Sequence, residues 1–301
     1  MSERTATSAA PATGTGARGR RSFVRRLLRD RSTTLPLLFL LALVSVAAGA
    51  DLLTRYDPLD PVAEPLQPPS GPFPIGTDEI GRDILTRVVY ASRITLAVGV
   101  MSSVGALLIG VPLGLLAGWF GRFADAVVMR AMDSVLSIPP LLLALVMVSV
   151  LGSNVFVAML AIVVVFIPHF VRISRAEVLS LRNQEFVLAA QAIGMPTWRL
   201  LLGTILRNAI SPVMVQFSLV FSRAVIVEAG LSFLGLGAQP PTPTWGNMLN
   251  TGRGYLYYNT LYAIIPGVAI FLTVLSLNIV GDSLRDRLDP RDASLIKEDN
   301  A

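Results

Sequence analysis

The chain has 301 residues, 53% of them hydrophobic and 15% charged, with a net charge of +5 and no cysteine. Its mean hydropathy of +0.63 is that of an integral membrane protein, so the length divides into spans rather than soluble domains. The lack of Cys excludes disulfides, thiol nucleophiles and Cys-ligated zinc, iron–sulfur or haem centres.

Residues 1–31 read as a disordered basic cytoplasmic arm. Met1 to Gly19 is rich in Ala, Thr, Gly and Ser, and Arg18, Arg20, Arg21, Arg25, Arg26, Arg29 and Arg31 crowd its end. "RRSFVRR" resembles a twin-Arg export signal, and Ala48-Gly49-Ala50 a cleavage site. The apolar run starts well downstream of the Arg pair, however, and cleavage would remove the most basic anchor, so the segment is expected to be retained. Ser32 to Ala50 is uncharged and Leu-rich, which predicts a first transmembrane helix within 32–53. Residues 54–93 form an external loop with a short amphipathic helix. In it, "GTDEIGRD" interleaves Asp78, Glu79 and Asp83 with Arg82, the pattern of a helix start with Thr77 or Asp78 as N-cap. A cation or acid–base site is the competing reading, and no His or further oxygen ligand supports it.

A core of five further spans occupies 94–282. Ile94 to Gly121 is the second span. Ser134 to Val171 is too long for one crossing and divides at Gly152-Ser153-Asn154 into spans three and four. Pro139-Pro140 should kink or shorten the start of span three, and Arg130 and Asp133 just before it read as a solvated or interfacial pair. Asn208 to Gly237 is span five, apolar except for Arg223 and Glu228; Gly235 and Gly237 end it, and Pro240, Pro241 and Pro243 stiffen the next loop. Gly254 to Gly281 is span six, with a cytoplasmic tail at 283–301. No soluble domain and no internal repeat is evident. The expectation is an all-α polytopic membrane protein with six transmembrane helices.

Arginine supplies all but one of the 25 basic residues, and it flanks the spans, which reads as topology rather than nucleic-acid binding. With the N-terminal arm inside, Arg122, Arg130, Arg172, Arg175, Arg182, Arg199, Arg207, Arg285, Arg287, Arg291 and Lys297 are inside too. The outside segments hold only Arg55, Arg82, Arg87, Arg93 and Arg253. Both termini and the segment 183–207 are therefore expected in the cytoplasm.

That segment contains "EFVLAAQAIGMPTWRLL", too polar to cross a bilayer. It predicts a helix over Asn183–Ile193 terminated by Gly194, then a second over Thr197–Leu206 started by Pro196. Ala189, Ala190 and Gly194 allow close backbone approach, and Phe186, Val187, Ile193 and Trp198 are apolar anchors. From the residues alone this is either a docking surface for another protein or an interfacial turn resting on lipid.

Arg223 and Glu228 are the charges deep in span five. Five residues apart, they point about 140° from each other, so each needs a partner elsewhere. Glu228 lies near the outer boundary, where it either helps form an external gate with the "LSFLGLG" glycines or reaches to the interface. His169, the single histidine, reads as structural. There is no G-x-x-x-x-G-K-[ST] loop, no H-E-x-x-H and no G-x-S-x-G, so ATP binding by a phosphate loop and intramembrane proteolysis both lack their residues. A proton-coupled secondary transporter would call for more midplane charges and repeats.

Leu188-Ala189-Ala190, three residues, then Gly194 resembles the EAA loop of bacterial ABC-importer permeases. Leu188 stands where that family has an acidic residue, and Arg207 where it usually has Pro. "PIGTDEIGRDILTRVVYASRITL", "EAGLSFLGLGAQPPTPTWGNML" and "GDSLRDRLDPR" extend the likeness from about Phe73 to Arg291. They are similar to the C-type permease subunit of dipeptide, oligopeptide and nickel ABC importers. The resemblance implies a type I ABC importer permease fold in the plasma (inner) membrane of a bacterium. It implies import of peptides or peptide-like solutes, with nickel chelates, glutathione or haem as alternatives. It implies ATPase docking through Glu185, Leu188, Ala189, Ala190, Gly194, Trp198 and Arg199. External docking or gating falls to Asp78, Gly81, Arg82, Asp83, Glu228, Gly235 and Gly237. No catalytic residue, metal or cofactor is expected in this chain, ATP and Mg belonging to partners. Those partners would be a second homologous permease in a heterodimer, two cytoplasmic P-loop ATPases and an external substrate-binding protein, beside lipid and without nucleic acid.

Overall fold

The structure is a computed structural model describing residues 31–288; the arm at 1–30, read as disordered, and the end of the tail at 289–301 lie outside the described residues. Among the described residues all regular elements are helical. The first, α1 (Arg31–Ala48), stops at Gly49 and is followed by a single turn, α2 (Ala50–Leu53). Leu35, Leu38, Leu41 and Val44 recur at intervals of three and remain exposed, a stripe suited to lipid, while Thr33 and Ala47 are buried. Thr33 is tied across the bundle to Ser283 by a 2.6 Å hydroxyl contact.

The next helix, α3 (Ile84–Phe120), begins ten residues before the apolar run. Its 37 residues rise about 56 Å, well beyond the roughly 30 Å hydrocarbon core, so the helix is longer than one crossing needs. The cap is Asp83, whose carboxylate accepts from the Thr86 N–H (2.9 Å) and hydroxyl (2.6 Å). The expected cap at Thr77 or Asp78 is corrected by this geometry. A cap must leave its oxygen free for the first turn, and both of those residues are engaged in the preceding loop.

The third expected span is a bent pair. α4 (Arg122–Leu136) and α5 (Pro140–Leu151) meet at 89°. Proline lacks the N–H a helix needs and disfavours helical geometry in the residue before it, and Pro139 sits at φ −53°, ψ 135°. α4 is amphipathic and buries no residue. Its Asp133 pairs with Arg172 at 2.6 Å, not with Arg130 as the sequence suggested, and its Asp125 pairs with Arg175. Beyond Gly152, α6 (Val155–Leu181) is capped by Asn154, which accepts the Val157 N–H at 2.9 Å.

The segment 183–207 contains α7 (Glu185–Ala192) and α8 (Thr197–Arg199). The second expected helix does not stop at Leu206. A π-helical stretch, Leu200–Ile205, joins α8 to α9 (Leu206–Phe233), so one helical rod runs from Thr197 to Phe233. α10 (Trp245–Gly252), started by a reciprocal Thr244–Asn247 cap, and α11 (Leu261–Leu288) complete the chain. Among the described residues four helices are long and apolar enough to cross, five if the bent pair is one span, and the apolar stretch Thr33–Ala48 of α1 falls short of that length. The sequence expectation of six spans counts α1 as the sixth.

The centre is the crossing of α3 and α6. Gly105, Gly110, Gly114 and Gly118 form a ridge on α3, and a β-carbon at any of them would press into Val163, Phe170, Ser174 or Val178 of α6. Small residues let two backbones approach where lipid offers no hydrophobic drive for helices to pair. The main core around Phe166, Phe170, Leu115, Ile205 and Leu231 surrounds this crossing, and a second core of Ile84, Trp245, Met248 and Tyr262 lies at the outer end.

Candidate functional site

In the segment expected in the cytoplasm, α7 is amphipathic in an unexpected register. Glu185, Leu188, Ala189 and Ala192 share the exposed side, one helical face by their spacing. Val187 and Ala190 lie on the buried side, 0% and 8% exposed, within the main core. Ala190 and Val187 therefore leave the expected docking surface and anchor α7 to the bundle. Gly194 adopts φ +76° with open space around it. The Met195 N–H bonds to the Ala190 carbonyl (3.1 Å) and the Gly194 N–H to that of Gln191 (2.9 Å), the paired bonds of a Schellman stop. Ile193 (80%) and Trp198 (61%) project from this turn, with the Arg199 guanidinium 5.3 Å from the Trp198 ring. Phe186 and Leu188 add two half-exposed apolar groups.

At the opposite end of the bundle the loop before α3 is locked by buried charges. Asp78, fully buried, accepts the N–H groups of Ile80 (3.0 Å) and Arg82 (2.9 Å) through Oδ1. Its Oδ2 pairs with Arg82 Nε at 2.6 Å and lies 3.4 Å from Arg87 Nε. Arg82 continues to Glu79 (3.0 Å), whose other oxygen accepts the Tyr262 hydroxyl at 2.7 Å. Asn259 donates to the Ile75 carbonyl at 2.8 Å. The result ties the loop and α3 to the start of α11. Gly81, at φ +87°, has no room for a β-carbon, which would meet the Ala63 carbonyl. Asp78, Arg82 and Asp83 are all buried, so they hold this rim in shape and do not themselves offer a docking surface.

Glu228 is 2% exposed and does not reach the interface. Its Oε1 accepts the Ser232 hydroxyl at 2.8 Å. Thr95 on α3 approaches the same carboxyl, yet Glu228 Oε2 and Thr95 Oγ1 each lack a completed hydrogen bond. A β-carbon on Gly237 would collide with Ser232, and one on Gly246 with the Ala229 carbonyl and Ser232, so the loop after α9 is folded tightly over Glu228. Gly235, at φ +76°, turns the chain there in open space. The structure thus joins Glu228 to Gly237, and separately Asp78 to Arg82, with Asp83 and Gly81 alongside. Sequence reasoning missed Ser232, Thr95, Asn259, Tyr262 and Trp245, whose indole donates to the Val88 carbonyl at 3.0 Å. Only Thr244 and Asn247 carried a local signal, the spacing of a helix cap. Among the described residues no group of three or more His, Asp or Glu is placed to hold a metal.

Residues 110–292 match the sequence model of a family described as "Binding-protein-dependent transport system inner membrane component". The chain belongs to this family. It is 41% identical to the dipeptide transport system permease protein DppC of Alkalihalophilus pseudofirmus, over 90% of each chain. It is 42% identical to the di/tripeptide transport system permease protein DppC of Pseudomonas aeruginosa, over 85% of this chain and 86% of the relative. The glutathione transport system permease protein GsiD of Pectobacterium atrosepticum is 40% identical, over 90% and 91%. A permease chain of the inward-facing MetNI methionine ABC transporter superposes with a TM-score of 0.56 at 20% identity, covering 68% of this chain and 98% of that one. The fold is therefore that of an ABC importer permease, and the chain is an inner-membrane transport component rather than an enzyme.

Proposed function

We propose that this chain is one half of an ATP-driven importer that passes peptides or peptide-like solutes through the inner membrane. The observation that carries the mechanism is the unbroken rod from Thr197 to Phe233. Its cytoplasmic end adjoins the exposed Leu188, Ala189, Ile193 and Trp198, and its outer end holds Glu228 beneath the external loop. Two ATPase subunits, which bind ATP and Mg, press on the loop at its exposed face. The rod carries that motion to the Glu228 end as a rigid-body movement, and a solute released by an external binding protein passes between this chain and a second homologous permease. Both chain termini lie in the cytoplasm. The names of the permeases at 40–42% identity support di- or tripeptides, with glutathione, itself peptide-like, as the alternative.

The test uses two neighbouring alanines. Ala189→Trp adds bulk to the exposed face, so the complex purified in mild detergent should lose its ATPases while the chain keeps its abundance. Ala190→Trp instead overfills the core, which costs about 1–3 kcal/mol, and should lower the abundance of the chain itself. ATPases retained on Ala189→Trp at full stoichiometry would remove the docking role.

A further inference from the structure

Arg223 sits ten residues before the outer end of α9, about 15 Å along the helix axis, hence well inside the bilayer. It is exposed on this chain, as is Ile226 one turn away, while Glu228 is buried. Among the described residues it makes no ion pair and no hydrogen bond. A guanidinium at that depth does not face lipid, because charged groups inside membranes turn to protein or to a water-filled passage. The surface carrying Arg223 is therefore the inner wall of the assembled transporter.

The neighbouring helix adds nitrogen to this region: His169 and Arg172 lie one turn apart on α6, which packs against α9. His169 Nδ1 is buried without a hydrogen-bond partner. Arg172 is already engaged by Asp133 at 2.6 Å. Arg223 has no such acid among the described residues, which leaves room for an incoming anion. A guanidinium matches a carboxylate by two parallel hydrogen bonds, a stronger and more directional contact than a neutral pair. Peptides differ in side chains but share a C-terminal carboxylate.

We propose that Arg223 is a carboxylate-recognition site on the wall of the translocation pathway, which takes the C-terminal carboxylate of each passing peptide. This rests on the peptide reading of the function. It makes free C-terminal acids the preferred solute class of the permease itself, beyond whatever the external binding protein selects.

The experiment compares uptake of alanyl-alanine and its C-terminal amide by cells carrying the complete transporter as their single peptide importer. Wild type is set beside Arg223→Gln and Arg223→Lys. The binding protein is common to all three, so its own discrimination cancels when each variant is divided by wild type for the same solute. Arg223→Gln should lower uptake of the acid about tenfold, the effect of losing one charge-assisted contact, and leave the amide within about twofold. Arg223→Lys, which keeps the charge without the fork, should fall between. Equal loss of acid and amide, or no loss of either, overturns the proposal. Loss of the second permease from the purified complex of Arg223→Gln also overturns it, by assigning Arg223 to a subunit contact. If wild type imports the acid alone, Arg223→Lys decides: acid uptake no better than with Gln overturns the proposal. If wild type imports neither solute, the peptide reading fails first and visibly, in the wild-type measurement.

Discussion

Glu228 shows what a buried carboxyl does when half its hydrogen bonding is met. Ser232, one turn further along the same helix, donates to one oxygen, while Glu228 Oε2 and the Thr95 hydroxyl of the crossing helix are each buried without a completed hydrogen bond. An incomplete buried polar contact costs free energy, so a small shift of α9 against α3 that completes the Thr95 contact would be favoured over the arrangement seen here. Such a group suits a position that changes between two states. Glu228→Gln keeps the shape and the Ser232 acceptor but changes what the second position offers Thr95. Chain abundance and ATPase recovery should be unchanged, while uptake should fall roughly tenfold, the scale set by altering a buried hydrogen bond of about 1–2 kcal/mol. Normal uptake at normal abundance would end any gating role for Glu228. The sequence located this charge from its position in an apolar run. It did not show the burial, because a Glu near a span end satisfies the same pattern whether it snorkels outward or turns inward.

Helix breaks were the most legible feature. Gly152-Ser153-Asn154, Pro139-Pro140 and Gly194 all act where their backbone chemistry requires, since proline and glycine alter the main chain directly. Facing was less legible. Ala189 and Ala190 are chemically identical, and which one meets solvent depends on how α7 rolls onto Leu200 and the rest of the core, a tertiary fact. The junction of α8 with α9 escaped for a similar reason: a π-helical stretch has no strong residue signature. The glycine ridge of α3 was visible only as a set of ordinary glycines within an apolar span, because α6 supplies its meaning. Gly114 shows how tight that fit is, with a β-carbon there meeting the Val171 carbonyl and the Ser174 side chain. Backbone cannot yield as a flexible side chain can, so Gly114→Leu must drive α3 and α6 apart. Overpacking of this kind costs about 1–3 kcal/mol or more, and the variant should show a much lower folded yield and melting temperature in detergent. Gly121→Ala, where nothing lies within 4 Å but φ +60° and ψ −157° form a conformation almost confined to glycine, should cost about 1–3 kcal/mol through backbone strain alone. A Gly114→Leu protein as stable as wild type would mean that α3 and α6 do not cross this closely.

The assembled chain has two differently built ends, and charge orients them. At one end the loop before α3 is knotted by Asp78, Arg82, Glu79 and Tyr262; at the other, α4 is held to α6 by Asp125–Arg175 and Asp133–Arg172. The sign bias of the connecting segments predicts the second end, with α7 and Trp198, on the cytoplasmic side. This orientation can be tested cleanly because the chain has no cysteine. Single substitutions Ser70→Cys, in the loop before α3, and Thr197→Cys, beside Trp198, both introduce exposed thiols. A membrane-impermeant maleimide applied to intact spheroplasts should label Ser70→Cys and leave Thr197→Cys untouched, and lysis should make both reactive. Each variant retains its neighbouring contacts, since Ser70 donates no side-chain hydrogen bond and the Thr197 side chain makes none among the described residues. The reverse labelling would invert the molecule, put the exposed α7 face outside and leave no ATPase able to reach it. The mechanism proposed for the rod from Thr197 to Phe233 therefore stands or falls with which of these two thiols reacts first.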